Sequence, residues 1–223
     1  MNPMERRPLL LGHRGARFEK TAPENTLAAF DFALASGCDG FEFDVRLSAD
    51  RQAVICHNPG IRGLRIAECS REQLALPLLG EVLSRYTSTA FLDIELKVSG
   101  LEKITVDMLR EITPFRGFVV SSFLPQVLHE VRKLDADIPL GLICETRAQF
   151  ACWPQLPIEY VIPHYKLVTQ DVIAQIKAAG KKIFVWTVNS PVDMKRFTQW
   201  GVDGIISDYP AKLQAVLGQP SPR

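Results

Sequence analysis

The stretch FLDIELKVSGLEKITVDMLREITPFRGFVVS, residues Phe91 to Ser121, decides the fold. Phe91 to Lys97 alternates apolar and polar side chains with the two-residue period of a strand. Leu101 to Ile112 carries apolar residues at helical spacing, and Phe118 to Ser121 is a second short apolar run. A strand, a helix and a second strand in that order form a unit whose strands run parallel. The order extends in both directions. Upstream, Leu9 to His13 reads as a strand, Asn25 to Ser36 as a helix stopped by Gly37, Phe41 to Leu47 as a strand and Leu79 to Tyr86 as a helix. Downstream, strands are expected at Leu140 to Cys144, Tyr160 to Pro163, Lys182 to Thr187 and Gly204 to Ser207. Helices are expected at Pro125 to Leu134, Thr169 to Ala179, Val192 to Trp200 and Ala211 to Leu217, with a short helical signal near Arg147 to Trp153.

Eight strands, most followed by a helix, within 223 residues predict an α/β protein built as a closed (β/α)8 TIM barrel, residues 1–223 forming one domain. Ala53 to His57 is an additional extended run, separated from Phe41 to Leu47 by five polar or small residues. It reads as a short hairpin-like excursion after the second strand. An internal echo supports repetition: Gly37-Cys38-Asp39-Gly40-Phe41 and Gly201-Val202-Asp203-Gly204-Ile205 each join a helix end to a strand start.

Lys plus Arg number 26 and Asp plus Glu 25, a net charge of +1. That balance argues against a general nucleic-acid or anionic-membrane binder and leaves room for one phosphate-binding pocket. The five cysteines, Cys38, Cys56, Cys69, Cys144 and Cys152, contain no CxxC pair, so they read as thiols in a reducing compartment. Met1 to Leu11 holds an apolar run too short for a secretion signal, and no later run approaches a membrane span. The expectation is a soluble cytoplasmic protein without stable membrane insertion; the oligomeric state is left open.

In such a barrel the chemistry sits at the C-terminal ends of the strands. The first strand ends in His13-Arg14-Gly15. Glu42 and Asp44, two apart on the second strand, share a face, with Phe41, Phe43 and Val45 on the other. Asp93, Glu95 and Lys97 share a face of the third, and Trp186, Thr187 and Asn189 follow the seventh. Several carboxylates in one barrel mouth repel one another. Two arrangements relieve this: a hard divalent cation with oxygen ligands, or an internal salt-bridge network with Arg14 and Lys97. His13 and His57, each at the end of an apolar run, read either as core or cap residues or as an acid–base pair.

Taken together, these residues resemble the glycerophosphodiester phosphodiesterase family. The likeness runs through His13-Arg14-Gly15, Ala22-Pro23-Glu24-Asn25-Thr26, Glu42-Phe43-Asp44-Val45, His57 and Glu95-Leu96-Lys97. It ends with Val185-Trp186-Thr187-Val188-Asn189 and Gly201 to Pro210. The resemblance implies a metal-dependent hydrolase that converts glycerophosphodiesters to sn-glycerol 3-phosphate and an alcohol, a small-molecule reaction of lipid and glycerol metabolism. It implies Glu42, Asp44 and Glu95 as ligands of Mg2+ or Ca2+ and His13 and His57 as the acid–base pair, taken here as base and acid in an order that the sequence leaves open. It also implies Arg14 and Lys97 as phosphate-contacting cations and Trp186 as a wall of the substrate cleft. Glu24, Asn25 and Thr26 are expected to be architectural, and Asp208 a turn residue after the last strand.

Three departures from the family pattern stand out. Asn58 follows the second histidine where the family has Asp, so it offers a hydrogen bond without charge. Asp50 is followed by Arg51 rather than Gly. The segment between His57 and Glu95 is short, which predicts an open cleft tolerant of varied alcohol groups. Rival readings are a phosphate-binding barrel without turnover, a lysophospholipase D-like phosphodiesterase with an apolar entrance drawn from Ile61, Leu64 and Phe123, and a phosphosugar-binding barrel. The last would want Gly-rich phosphate loops and no inward acidic cluster.

Overall fold

The computed structural model describes residues 7–218. Part of the Met1 to Leu11 reading and the tail after Gly218 lie outside them. The strands are β1 (Leu9–Gly12), β2 (Gly40–Leu47), β3 (Ala53–Ile55), β4 (Gly60–Ile61), β5 (Leu64–Arg65), β6 (Phe91–Leu96), β7 (Phe118–Ser122), β8 (Leu140–Cys144), β9 (Tyr160–Pro163), β10 (Lys182–Val185) and β11 (Gly204–Ser207). The α-helices are α1 (Leu27–Ala35), α2 (Arg71–Leu74), α3 (Leu79–Tyr86), α4 (Glu102–Glu111), α5 (Pro125–Leu134), α6 (Arg147–Phe150), α7 (Gln170–Ala178), α8 (Pro191–Gln199) and α9 (Pro210–Leu217). The sheet order is β1-β11-β10-β9-β8-β7-β6-β2-β3, and β1 also pairs with β2. That last pairing closes an eight-stranded parallel barrel with helices between its strands. Strand β3 lies antiparallel to the upper half of β2, Val45 opposite Ile55, and forms the expected excursion.

Alternation along the strands sorts the side chains into two cores. Phe41, Phe43, Val45, Leu92, Ile94 and Leu96 pack outward against the helices. Inside the barrel, Leu11, Phe91, Val119, Ile143, Tyr160, Ile162, Phe184 and Ile206 form a second apolar cluster. These large residues fill the barrel like the stacked layers of a packed core, so the polar strand ends rest on a dry floor.

The sequence echo has a packing cause. Gly37 (φ +91°) and Gly201 (φ +78°) stop α1 and α8 in the left-handed region, which a side chain disfavours. Asp39 Oδ2 accepts from Leu10 N at 2.8 Å, and Asp203 Oδ2 accepts from Ile183 N at 2.9 Å, each carboxylate tying down the start of a neighbouring strand. Gly40 pairs with Phe91 and Gly204 with Phe184; Gly40 leaves room for the Phe91 backbone and Gly204 for the Phe184 ring inside the barrel.

Several elements differ from the sequence reading. Helix α1 begins at Leu27 rather than Asn25. Thr26 is its N-cap, accepting from Ala29 N, while Asn25 sits at φ +58°. Strand β10 stops at Val185, two residues early, because Trp186 turns inward and its Nε1 donates to Ile162 O at 2.9 Å. The weak helical signal at Arg147 to Trp153 divides into α6 and a 3-10 turn at Trp153–Gln155. The stretch after His57 holds the small hairpin β4–β5 and helix α2, where too few residues exist for periodicity to show. Arg51 occupies the left-handed region (φ +58°), the conformation that Gly takes without strain. Among the described residues no helix is long and apolar enough to cross a membrane.

Candidate active site

At the C-terminal end of the barrel the inward side chains surround a cavity of about 320 Å³. Strands β1, β2, β3 and β6 bring His13, Arg14, Glu42, His57, Asp93, Glu95 and Lys97 to its polar half. Strands β7 to β11 and the loops after them bring Phe123, Ile143, Ile162, Trp186 and Ile206 to an apolar half, with Glu145 at its edge. A larger groove at the opposite end of the barrel, lined by residues such as Arg7, Phe115 and Phe184, contains neither an acidic cluster nor a histidine.

Glu42, Asp44 and Glu95 each present an oxygen within 4.8 Å of the others, and all three are buried. Asp44 is held on several sides. Its Oδ2 accepts from Asn25 Nδ2 at 2.8 Å and lies 3.3 Å from Arg14 Nε; its Oδ1 lies 3.2 Å from Lys97 Nζ. Lys97 Nζ also sits 2.6 Å from Glu95 Oε1. Glu42 Oε2 accepts from the Arg14 backbone N–H at 2.9 Å, an orientation set by the left-handed turn at Arg14 (φ +51°). Glu42 Oε1 has no hydrogen-bond donor, and Asp44 Oδ1 and Glu95 Oε1 have none beyond the ion pairs with Lys97.

The electrostatics follow from burying four acids beside two cations. Burial, with Asp44 and Glu95 nearby, raises Glu42 well above the usual carboxylate range. Burial and Asp44 push Glu95 up to about 8 despite Lys97. Burial pushes Asp93 up to about 7, although the Ser121 hydroxyl donates to it at 2.5 Å. Burial also opposes the charge on Asp44, but Lys97, Arg14 and the Asn25 bond hold it below the usual range. Three clustered carboxylates, one with an unpartnered oxygen and two sharing a single lysine, with too little positive charge between them, are the donor set of a hard cation. The salt-bridge network expected as the alternative exists, and it leaves this deficit unfilled. The residues therefore fit a divalent metal ion.

The two histidines have unlike partners. His13 Nδ1 lies 2.6 Å from Asp208 Oδ1, and its Nε2 lies 3.8 Å from Glu42 Oε2. His57 Nδ1 lies 3.0 Å from Asn58 Oδ1, a neutral amide. Burial moves His57 below the ordinary imidazole value, outweighing Asp44.

All eight residues singled out in the sequence stand at this mouth: His13, His57, Arg14, Lys97, Trp186, Glu42, Asp44 and Glu95. Three more groups were read as architecture and prove to touch the site. Asn25 binds Asp44 through side chain and backbone, Glu24 pairs with Arg14 at 3.0 Å, and Asp208 faces His13 instead of merely closing a turn. The strand-end rule that picked out the first three strands, applied equally to β11, points to Asp208. No local signal marks Asn25, whose partner lies on another element.

Residues 13–65 and 70–212 match the Glycerophosphoryl diester phosphodiesterase family. The chain is 29% identical to a glycerophosphodiester phosphodiesterase of Caldanaerobacter subterraneus subsp. tengcongensis over 92% of this chain and 96% of that protein. It is 30% identical to a glycerophosphodiester phosphodiesterase of Bacillus altitudinis over 90% of this chain and 94% of that one. Among solved structures, an Oleispira antarctica phosphodiesterase in complex with the product sn-glycerol-3-phosphate superposes with a TM-score of 0.84 at 26% identity, covering 96% of this chain and 98% of that chain. The Thermotoga maritima glycerophosphodiester phosphodiesterase, at 23% identity and a TM-score of 0.81 over 94% and 98%, shares the fold.

Proposed function

The chain belongs to the glycerophosphoryl diester phosphodiesterase family of phosphoric diester hydrolases, and from that premise we propose that it hydrolyses glycerophosphodiesters to sn-glycerol 3-phosphate and an alcohol. One observation carries the reading: three clustered buried carboxylates share a single mouth with two histidines. Glu42, Asp44 and Glu95 would hold a divalent cation, Mg2+ or Ca2+. When bound, that ion supplies the positive charge that the phosphate oxygens need as negative charge builds on them.

The chain's own groups supply the rest. Arg14 and Lys97 line the cavity and add positive charge for the phosphoryl group. His13, as base, takes the proton of the glycerol hydroxyl next to the phosphate, and that oxygen attacks phosphorus. His57, as acid, donates its proton to the departing alkoxide. The product of this step is a cyclic phosphate. In the second step His57 removes a proton from water, and His13 returns its proton to the glycerol oxygen as the ring opens. The net change is the addition of one water across one P–O bond. Trp186 stands between Phe123 and His164, edge-to-face with both, and walls the apolar half where the glycerol or the alcohol packs.

The excursion between Asn58 and Leu78 contributes no residue to the cavity lining, which supports a mouth tolerant of varied alcohols. A lysophospholipid is the second reading. Of the residues expected to form its apolar entrance, Phe123 lines the cavity, Ile61 is half-buried and Leu64 is exposed outside the cavity lining. Phe18 (54% exposed) and Tyr209 (37% exposed), on the loops after β1 and β11, stand with ring centroids 5.5 Å apart.

The test is release of glycerol 3-phosphate from glycerophosphocholine, glycerophosphoethanolamine and a lysophospholipid, with the enzyme stripped of metal and then given Mg2+, Ca2+ or Mn2+. Expected are no turnover without metal, turnover with it, loss of at least about 100-fold in Glu42→Gln, and similar rates on small and bulky head groups. Absence of turnover by folded protein with every metal overturns the hydrolase reading. A strict preference for one head group overturns the open-mouth reading.

A further inference from the structure

We propose that Asp208, clamped by Asn189, is a positioning residue that holds the His13 ring with its Nδ1–H toward Asp208 and its bare Nε2 toward the cavity. This rests on the acid–base reading above and adds a part to it that the likeness to relatives does not assign.

The placement follows from strand register. Gly12 of β1 pairs with Ser207 of β11, so the next residues, His13 and Asp208, leave adjacent strands side by side. His13 N–H donates to Ser207 O at 2.8 Å, which fixes the backbone of the histidine to that strand. Asp208 is 4% exposed, and its two oxygens have separate tasks. Oδ1 lies 2.6 Å from His13 Nδ1, and Oδ2 accepts from Asn189 Nδ2 at 2.6 Å. Asn189 is itself locked: its Oδ1 accepts from Asp208 N at 3.0 Å and from Ser207 Oγ at 3.1 Å. Three consecutive loops, after β10, β11 and β1, are thus joined through one carboxylate.

The chemistry follows from donor counting. Burial opposes the charge on Asp208, but His13, Asn189 and Arg17 hold its carboxyl below the usual range. An ionised carboxylate has only acceptor sites, so the hydrogen between Asp208 and His13 belongs to Nδ1. A neutral imidazole carries one N–H. With that hydrogen on Nδ1, the lone pair is on Nε2, the nitrogen that faces Glu42 and the cavity. His57 Nδ1 lies instead against the neutral side-chain amide of Asn58. The two histidines are therefore held by unlike partners, and the orientation set by Asp208 places the bare Nε2 of His13 where the base of the first step must stand.

The experiment combines a spectrum and a rate. In 15N-histidine NMR of the wild-type protein at about pH 8, above the ordinary imidazole range, His13 is expected as the Nδ1–H tautomer, its signals assigned by loss in His13→Gln. Asp208→Asn is expected to lower kcat on glycerophosphocholine by about 100-fold or more while KM changes by less than about 2-fold, because only the proton transfer is impaired. Asn189→Ala leaves the carboxylate in place but loose, with an expected kcat loss of about 10-fold and a mixed tautomer signal. An Nε2–H tautomer in the wild type overturns the proposal. So does retention of kcat within about 2-fold in Asn189→Ala and in folded Asp208→Asn. If Asp208→Asn does not fold, the wild-type spectrum and Asn189→Ala decide. If the wild type cleaves no glycerophosphodiester, the proposed function fails and the wild-type spectrum alone decides the tautomer.

Discussion

Asn25 is tied to Asp44 twice: its Nδ2 donates to Oδ2, and its Oδ1 accepts from the Asp44 backbone N–H at 3.1 Å. It reaches that position from the left-handed region, where asparagine is among the few residues tolerated, and it does so with 5% of its surface exposed. Its work is to hold Asp44 Oδ2 in place while Oδ1 turns toward Lys97. Asn25→Ala removes both bonds and leaves a buried carboxylate one donor short. Because partners behind a metal ligand typically contribute 10–100-fold, the variant should need about ten times more Mg2+ for half-maximal rate. A metal titration of activity measures this, and an unchanged midpoint refutes it. Nothing in Ala22-Pro23-Glu24-Asn25-Thr26 distinguishes this asparagine from the helix cap beside it. Thr26 meets the local expectation; Asn25 answers to a residue on another element.

At the scale of elements, the pairing of β2 with β6 sets the acidic cluster. Glu42 stands opposite Asp93 and Asp44 opposite Glu95, so both inward faces present their acids at the same height. That register begins at Gly40, opposite Phe91. A Cβ on Gly40 would meet Phe91 O at 1.9 Å, a backbone atom that can yield only by moving the strand. Gly40→Ala is expected to cost about 3 kcal/mol from forced displacement in a packed core. It should also reduce metal affinity, because the acids on the two strands no longer align. Chemical denaturation and the metal titration check the two effects; a loss under about 1 kcal/mol would contradict the register argument. The elements themselves were mostly legible in the sequence. Leu79–Tyr86, Pro125–Leu134, Leu140–Cys144, Tyr160–Pro163 and Gly204–Ser207 have the bounds that periodicity predicts. The region after His57 was not, because two-residue strands and a four-residue helix carry only about one period of signal, so no repeat can show.

For the whole molecule, the site is a source of pH dependence. Asp93 at about 7 and Glu95 at about 8 are raised mainly by burial, far above the values near 4 of the unfolded chain. The folded protein therefore binds more protons than the unfolded one between those values, and stability falls as pH rises. Their contribution is complete below about pH 4 and is lost as pH rises through about 7 and about 8. Asp44 and Asp208 are shifted the other way, so their contribution is present above about pH 4 and disappears only below it, outside this window. The melting temperature of metal-free protein should thus decline from about pH 5 to about pH 8.5, and less steeply in Glu95→Gln. Saturating Mg2+ should remove most of the decline, since an ion bound to the native state stabilises it and favours ionised ligands. Thermal scans across this range decide the matter; a flat metal-free profile would show that the acids are not strained in the absence of metal.

By itself the sequence determined the barrel, the faces of its strands and the eight residues at its mouth. Each follows from a local rule: a two-residue period turns Glu42 and Asp44 to one side, and a strand followed by a helix runs parallel to the next strand. Only the tertiary structure decided who holds those residues. Asp208 meets His13 because the last strand closes on the first, across 195 positions of sequence. Asn25 meets Asp44 because the loop after β1 folds back over β2. The amide beside His57 was legible, since Asn58 is the next residue; the carboxylate beside His13 arises from closure. Periodicity reports which way a side chain points; the partner it meets there depends on the register of strands far apart in the chain, which no local pattern encodes.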